Sequence, residues 1–373
     1  MYLRNDKMIK VTLTNEILKR ISAIDENRFS VRNIELPAIT QNRLRKNSKK
    51  KSSYASNKIE GNPLTEAQAD KAIDSDAHKH FLKPEQEVRN YFSALTLLED
   101  KLKNKTPFSK KLILEVQAVV EKGAPKEKIG LRGEMPPGVL FAVYDSETGN
   151  PDYIPPEYSE IPALLDELTE YVNTTDDHPL IVAAVVHYQL VTIHPFEDGN
   201  GRTARLMSGY ILDLNGYGFN GIGSLEEYFA YDADEYYSSL QMGLPALYYS
   251  GRENPPHPEI WINYFLRMME LYSKKVCEIS LSGAADELDT ALSHLTVKEK
   301  EFLMFLLNNH LFEFTPIEIS RQLNVTNKTV INRCARLSSN GFLVPNIVKE
   351  RIRSYTVSKF AKENNKTIIS ILS

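Results

Sequence analysis

Residues 178–193 read HPLIVAAVVHYQLVTI, apolar on nearly every side. A helix of that composition has no solvent face, so other elements must enclose it. No window of the chain reaches transmembrane length without polar interruption, which makes this the buried helix of a globular body. HPFEDGNGRTAR follows directly at 194–205, and its last residues run into a second helix. The loop therefore sits between two helices, and the second turns its N-terminus toward it.

That placement suits an anion. Free backbone N–H groups and the positive dipole end point at the loop, and Gly199 and Gly201 let the backbone turn tightly and approach phosphate closely. His194 is the candidate general base, since imidazole titrates near neutral pH. Asp198 is the candidate Mg²⁺ ligand, because Mg²⁺ keeps its waters and takes phosphate oxygens for the rest. Arg202 and Arg205, three apart on one helix, suit β- and γ-phosphates. Asn200 is placed to donate to an α-phosphate, while Phe196 packs inward. The loop is neither a Walker P-loop nor a Rossmann fingerprint. A DGNG turn, an Arg-x-x-Arg face or a histidine alone would be structural features; their order after a buried helix makes them a site.

The chain has 373 residues, 42% hydrophobic and 25% charged, with two cysteines, Cys277 and Cys334. That length implies two or three domains, and two distant cysteines argue against a disulfide framework. With no apolar run fit for a signal peptide in the first twenty residues, a cytoplasmic protein without membrane attachment is expected. Helical periodicity dominates, at 10–24, 37–60, 84–103, 108–121, 159–174, 200–215, 233–243 and 257–280. Thr65 and Gln68 have capping-box spacing for a further helix. Val139 to Asp145 and Asp152 to Pro156 flank a Ser-Glu-Thr-Gly-Asn turn and read as a hairpin. Residues 281–294 are polar and weakly patterned, as in a linker.

The signature HPFx(D/E)GNGRxxR of the Fic family is matched at every specified position from His194 to Arg205, and the chain resembles that family over roughly residues 50–270. The resemblance implies transfer of AMP from ATP to a Tyr, Thr or Ser hydroxyl of a target protein. In that reaction His194 deprotonates the hydroxyl, and Asp198 carries Mg²⁺ on the α- and β-phosphates. Asn200, Gly201 and Arg202 form the anion hole. Doc-type kinases resemble this family but place lysine where Gly201 stands, so Gly201 favours AMP transfer over phosphate transfer. The hairpin at 139–156 matches the family's flap, which holds the target by strand addition, or is a plain surface hairpin. Tyr236 and Tyr237 resemble the region lining the nucleoside pocket, or pack as ordinary helix residues.

Residues 56–61 read SNKIEG, and Ser56 and Glu60, four apart, share a helix face. The segment is similar to the (S/T)xxxE(G/N) inhibitory helix of class II Fic proteins. There the glutamate pairs with the second signature arginine, here Arg205, and displaces the γ-phosphate. A guanidinium cannot pair bidentately with a carboxylate and a phosphate together. Without the downstream signature, Glu60 would be an ordinary exposed helix-end glutamate.

From Leu295 to Ser373 twelve lysines and arginines face six acids, against 33 and 43 in the rest. Helices at 296–309, 316–323 and 327–339, then strands FLVPNIV and SYTVS, predict a winged helix-turn-helix. On its third helix Val330, Cys334 and Leu337 form the core stripe. Thr329, Asn332, Arg333 and Arg336 share the other face, with Lys349, Arg351 and Arg353 on the wing. DNA binding, protein docking, dimerisation (a homodimer) and a solvated basic face all fit that pattern.

The expected architecture is mainly α: a Fic-type helical bundle with a small β-hairpin flap, plus the winged domain. Its parts are an N-terminal helical region 1–110, a catalytic core 111–280, a linker 281–294 and the domain 295–373. The expected activity is Mg²⁺- and ATP-dependent AMP transfer to a protein, with self-modification, restrained by Glu60 on Arg205. A DNA-binding regulator with the Fic body as sensor and a de-AMPylase are the alternatives.

Overall fold

The computed structural model describes residues 8–36, 38–75, 80–139, 141–144, 149–244, 255–348 and 351–372. The chain divides into two compact units, Met1–Asn33 with Pro37–Ile279, and Ile34–Leu36 with Ser280–Ser373. Apart from Ile34–Leu36 and Ser280, segments 1–110 and 111–280 share the first unit.

In that unit the elements run α1 (Asn15–Asn33), α2 (Ala38–Ile59), α3 (Glu66–Asp74), α4 (Lys83–Lys103), α5 (Lys110–Val120), β1 (Val143–Tyr144) and β2 (Pro151–Tyr153). They continue with α6 (Ile161–Thr174), α7 (Pro179–Ile193), α8 (Asn200–Leu214), α9 (Glu226–Tyr231), α10 (Ala233–Gln241) and α11 (Pro258–Ser293), of which the part from Ser280 belongs to the second unit. Every residue of α7 from Leu180 to Leu190 is buried, as its largely apolar surface requires. Ser208 on α8 donates to the Ala183 carbonyl at 2.8 Å, and Trp261 Nε1 on α11 donates to the Ala184 carbonyl at 2.8 Å. These two bonds place α8 and α11 against the middle of α7.

Several ends differ from the periodic reading. The first helix begins at Asn15, not at residue 10, because the Thr14 hydroxyl accepts from the Ile17 N–H at 3.3 Å and caps it. The capping box of Thr65 and Gln68 forms as its spacing predicts. Where a linker was expected at 281–294, α11 continues to Ser293. Ala and Leu supply helix propensity there, and Leu288 and Leu292, one turn apart, are buried. The six residues of α9 are too few to display a period.

β1 and β2 pair antiparallel, Val143 opposite Tyr153 and Tyr144 opposite Pro151. The expected turn residues Ser146, Glu147 and Thr148 lie outside the described residues, as does Lys349 of the wing.

The second unit contains α12 (Val297–Asn308), β3 (Glu313–Phe314), α13 (Pro316–Gln322), α14 (Asn327–Ser339), β4 (Leu343–Val348) and β5 (Arg351–Val357). Two short helices follow, α15 (Lys359–Glu363) and α16 (Asn365–Leu372), neither read from the sequence. The strands form an antiparallel sheet in the order β3-β5-β4. Val330, Cys334 and Leu337 are fully buried on α14 beside Phe302 and Leu303 of α12.

Among the described residues, no helix is long and apolar enough to cross a membrane.

Candidate active site

His194 terminates α7 in a left-handed conformation, φ 50° and ψ 57°. Glycine or asparagine usually takes that C-terminal position, so an imidazole held there is a strained, purposeful choice. Its Nδ1 lies 3.2 Å from the Val191 carbonyl. A carbonyl only accepts, so Nδ1 carries the proton and Nε2 keeps its lone pair. Burial depresses the imidazole pKa to about 4; the Val191 hydrogen bond opposes the shift and the Arg132 guanidinium adds to it. The ring is therefore neutral at physiological pH, the state a general base needs.

Arg132 holds this corner together. Its Nε donates to the His194 carbonyl at 2.8 Å, its backbone N–H donates to the Pro195 carbonyl at 2.9 Å, and it also reaches the Pro156 carbonyl. The hairpin lies over the imidazole, with the Phe141 ring 6.0 Å and the Tyr153 ring 6.3 Å from it.

The loop closes on itself through Asn200. Its Oδ1 accepts from the Phe196 N–H at 3.0 Å and its Nδ2 donates to the Phe196 carbonyl at 2.9 Å. The amide that the sequence assigned to an α-phosphate thus spends its oxygen and one N–H on shaping the turn. Phe196 is fully buried, as expected. Gly199 has φ 80°, a conformation that favours glycine, and a Cβ there would stand 2.7 Å from Glu121 Oε1 and displace that carboxylate.

The two signature arginines are buried and each meets its own carboxylate. Arg202 donates to Glu121 Oε1 at 2.9 Å and to Asp198 Oδ1 at 3.1 Å. Burial raises the Glu121 pKa against the pull of Arg202. Burial also acts upward on Asp198, but Arg202, the Gly199 N–H and Lys128 outweigh it, and its pKa is lowered. Glu121 and Lys128, whose Nζ is 3.3 Å from Asp198 Oδ2, were missed by sequence reasoning. Each lies more than sixty residues upstream and belongs to no local pattern.

Arg205 donates through Nε to Ser56 Oγ at 2.8 Å, and through a terminal nitrogen to the Ser56 carbonyl at 3.0 Å and Glu60 Oε1 at 2.6 Å. Its other terminal nitrogen reaches the Tyr236 hydroxyl at 3.3 Å. The side chain of Arg205 is 1% exposed and that of Glu60 is 33% exposed. Burial works against the guanidinium's charge, but Glu60 together with Tyr236, Tyr91 and Tyr237 outweighs it and its pKa is raised. A Cβ on Gly201 would come within 2.3 Å of Glu60 Oε1, so the second loop glycine admits the carboxylate.

Tyr236 is buried and is placed to donate to His187 Nε2 at 3.0 Å. Tyr237 keeps 46% exposure and donates to the Ile59 carbonyl at 3.2 Å, beside Glu60. It is the member of the pair left accessible.

Asp198 fits the role of a Mg²⁺ ligand in one respect, a lowered carboxylate pKa at the mouth of the loop, where Arg202 and Lys128 are its cations. Among the described residues no group of three or more His, Cys, Asp or Glu side chains is arranged to hold a metal. A single carboxylate accords with a Mg²⁺ ion that brings phosphate and water ligands of its own.

In the second unit the residues expected to read a groove lie on α14 and β5. Asn332 is exposed on α14 and Arg353 on β5. Arg333 packs over the Phe302 ring at 5.8 Å, and Arg336 pairs with Glu299 at 3.3 Å. Arg333 sits directly before Cys334 and three after Val330, so it flanks the core stripe instead of opposing it.

These features define a helical protein with a glycine-rich loop at a helix N-terminus, a neutral histidine at its edge and a glutamate seated on its last arginine. The comparisons name the class: residues 107–212 match the Fic/DOC family, and the chain carries a domain of that family. It is 29% identical over 206 residues to the protein adenylyltransferase Fic of Drosophila mojavensis, covering 53% of this chain and 38% of that protein. Against the protein of the same name from Nematostella vectensis it is 27% identical, covering 53% and 45%. The chain thus spans less than half the length of these relatives. A Fic family protein from Desulfovibrio desulfuricans shares the fold with a TM-score of 0.57 at 19% identity, covering 94% of this chain and 98% of that one. A Fic-domain signalling protein from Bacteroides thetaiotaomicron does so at 0.57 and 22%, covering 72% and 98%.

Proposed function

We propose that this chain is an ATP-dependent protein adenylyltransferase restrained by its own α2 helix. The observation that carries the reading is Glu60 Oε1 on Arg205 at 2.6 Å, inside a loop whose histidine is neutral with Nε2 free.

In the proposed reaction Nε2 of His194 takes the proton of a Ser, Thr or Tyr hydroxyl on the target. The freed oxygen bonds to the α-phosphorus of ATP as the bond to the bridging oxygen breaks, and pyrophosphate leaves. The N-terminal amides of α8 face the charge that builds on the phosphate oxygens. Arg202 and Arg205 bind the departing phosphates once Glu121 and Glu60 yield them. Mg²⁺, when bound at Asp198, neutralises phosphate charge. The β1–β2 hairpin beside His194 holds a target segment by strand addition, and Tyr237 borders the nucleoside. The protein's share is positioning and charge stabilisation. The contacts of Ser56 and Glu60 with Arg205 support a class II, autoinhibited reading, and the same AMP transfer to hydroxyls of the chain itself is the proposed self-modification. In the second unit, the order of three helices and three strands supports a winged helix. Arg333 lies over Phe302 and the exposed Arg336 pairs with Glu299 of the same unit, so both side chains already have partners, which supports a protein-docking role over DNA.

The test is incubation of wild type, Glu60→Gly and His194→Ala with Mg²⁺ and α-labelled ATP. Label on protein with Glu60→Gly, absent with His194→Ala, is the expected result. No label in any variant, with or without lysate, would overturn it and favour a regulator. Loss of AMP from a pre-labelled target would favour the de-AMPylase.

A further inference from the structure

The helix that leads into Glu60 is held on the body by polar rungs. The Ser48 hydroxyl accepts from the Gly223 N–H at 2.7 Å, and the Ser52 hydroxyl donates to Glu226 Oε2 at 2.8 Å. Ser56 and Glu60 receive Arg205 at 2.8 and 2.6 Å. The four residues recur at every fourth position, Ser48, Ser52 and Ser56 on α2 and Glu60 directly after its end, a column of about 18 Å along the axis. All three serines are buried, whereas Ala55 and Ile59 are the buried apolar side chains of this helix among the described ones. A cavity of about 800 Å³ borders the lower rungs, lined by Ser48, Ser52, Phe92, Leu98 and Tyr272 among others, so apolar packing does not back them there. Around the column, Lys49 pairs with Glu99, Lys50 with Asp74 and Lys51 with Glu227. Such partly exposed pairs are individually weak and screened by salt.

An inhibitory helix fixed by an apolar stripe would be a permanent part of the core. One fixed by hydrogen bonds loses its register when a few are withdrawn. We infer that Ser48 and Ser52 are positioning residues for the brake: they set the register that brings Glu60 to Arg205, although neither touches the catalytic loop. The inference rests on the adenylyltransferase reading for its activity readout. Glu226 also accepts from Tyr91 at 2.9 Å and from Ser224 at 3.1 Å. Ser52→Ala therefore removes the rung without stranding a buried carboxylate. Alanine is also the better helix former, so a loosened brake would not reflect a melted α2.

The experiment compares Ser52→Ala and Ser48→Ala/Ser52→Ala in wild-type and Glu60→Gly backgrounds, by labelling with α-labelled ATP and by hydrogen exchange across 48–60. In the wild-type background, losing a rung to a charged acceptor should raise labelling about tenfold, with faster exchange along α2. In the Glu60→Gly background, where no brake remains, the serine changes should add nothing. An equal rise in both backgrounds would show that the serines act on the site itself and would overturn the inference. Unchanged labelling and exchange beside a labelling Glu60→Gly protein would overturn it as well. If Glu60→Gly itself takes no label, the transfer reading falls. Exchange alone then decides the ladder: faster exchange in the serine variants supports it, and unchanged exchange refutes it.

Discussion

Replacing Glu60 by glycine removes one carboxylate from a guanidinium that is otherwise fully enclosed. Arg205 keeps Ser56 Oγ, the Ser56 carbonyl and the Tyr236 hydroxyl as neutral acceptors, so its charge is not abandoned. A charge-assisted hydrogen bond contributes about 1.5–3 kcal/mol. Because Glu60 is 33% exposed, solvent screening reduces this to about 1–2 kcal/mol. The fold should lose that much, a fall in Tm of about 2–8 °C. The same amount no longer opposes a phosphate on Arg205, which corresponds to about 5–30-fold in AMP transfer. The assay is the initial rate of label transfer from α-labelled ATP, with ATP affinity measured alongside. An unchanged rate with ATP bound as tightly as in wild type would refute the competition between carboxylate and phosphate.

Four other outcomes follow. Since His194 has a pKa of about 4, log kcat/KM of the Glu60→Gly enzyme should stay level through pH 6.5 and fall only toward pH 4; an acid limb centred near 6.5 would contradict the neutral, tied imidazole. Burial holds the His187 pKa at about 3. The unfolded chain binds the extra proton first, so this contribution to stability is complete above about pH 6.5 and is lost as pH falls toward 3; urea titrations should show a shallower acid loss in His187→Phe. Asp213 has the opposite sign, since burial lifts its carboxyl to about 7. Asp213→Asn should stabilise the protein increasingly as pH rises from 4 to 7, and a pH-independent effect on Tm would refute this. Glu121→Gln leaves the buried Arg202 only Asp198 as a carboxylate partner, at a cost of about 3 kcal/mol; thermal denaturation with no loss would show that the pair is dispensable.

Local chemistry decided what the sequence by itself made legible. The largely apolar run of α7 had to be buried, and the glycines, histidine and arginines of 194–205 had to form a turn at a helix start. Ser56 and Glu60, four apart, had to share a face. Each depends on residues within about one helical turn of one another, where covalent geometry fixes who meets whom. The tertiary structure alone decided which charges compensate which. It seated Glu121 on Arg202 and Lys128 on Asp198, laid Phe141 and Tyr153 over His194, and turned the Asn200 amide back on its own loop. It also turned Arg333 and Arg336 toward α12 and carried α11 through the segment that reads as a linker. Long-range pairs of this kind leave no periodic trace, because a buried charge is matched by whichever element packing brings beside it. The serine column of α2 lies between these cases. Its spacing is written in the sequence, but that its partners are Gly223, Glu226 and Arg205 follows only from how the helices pack.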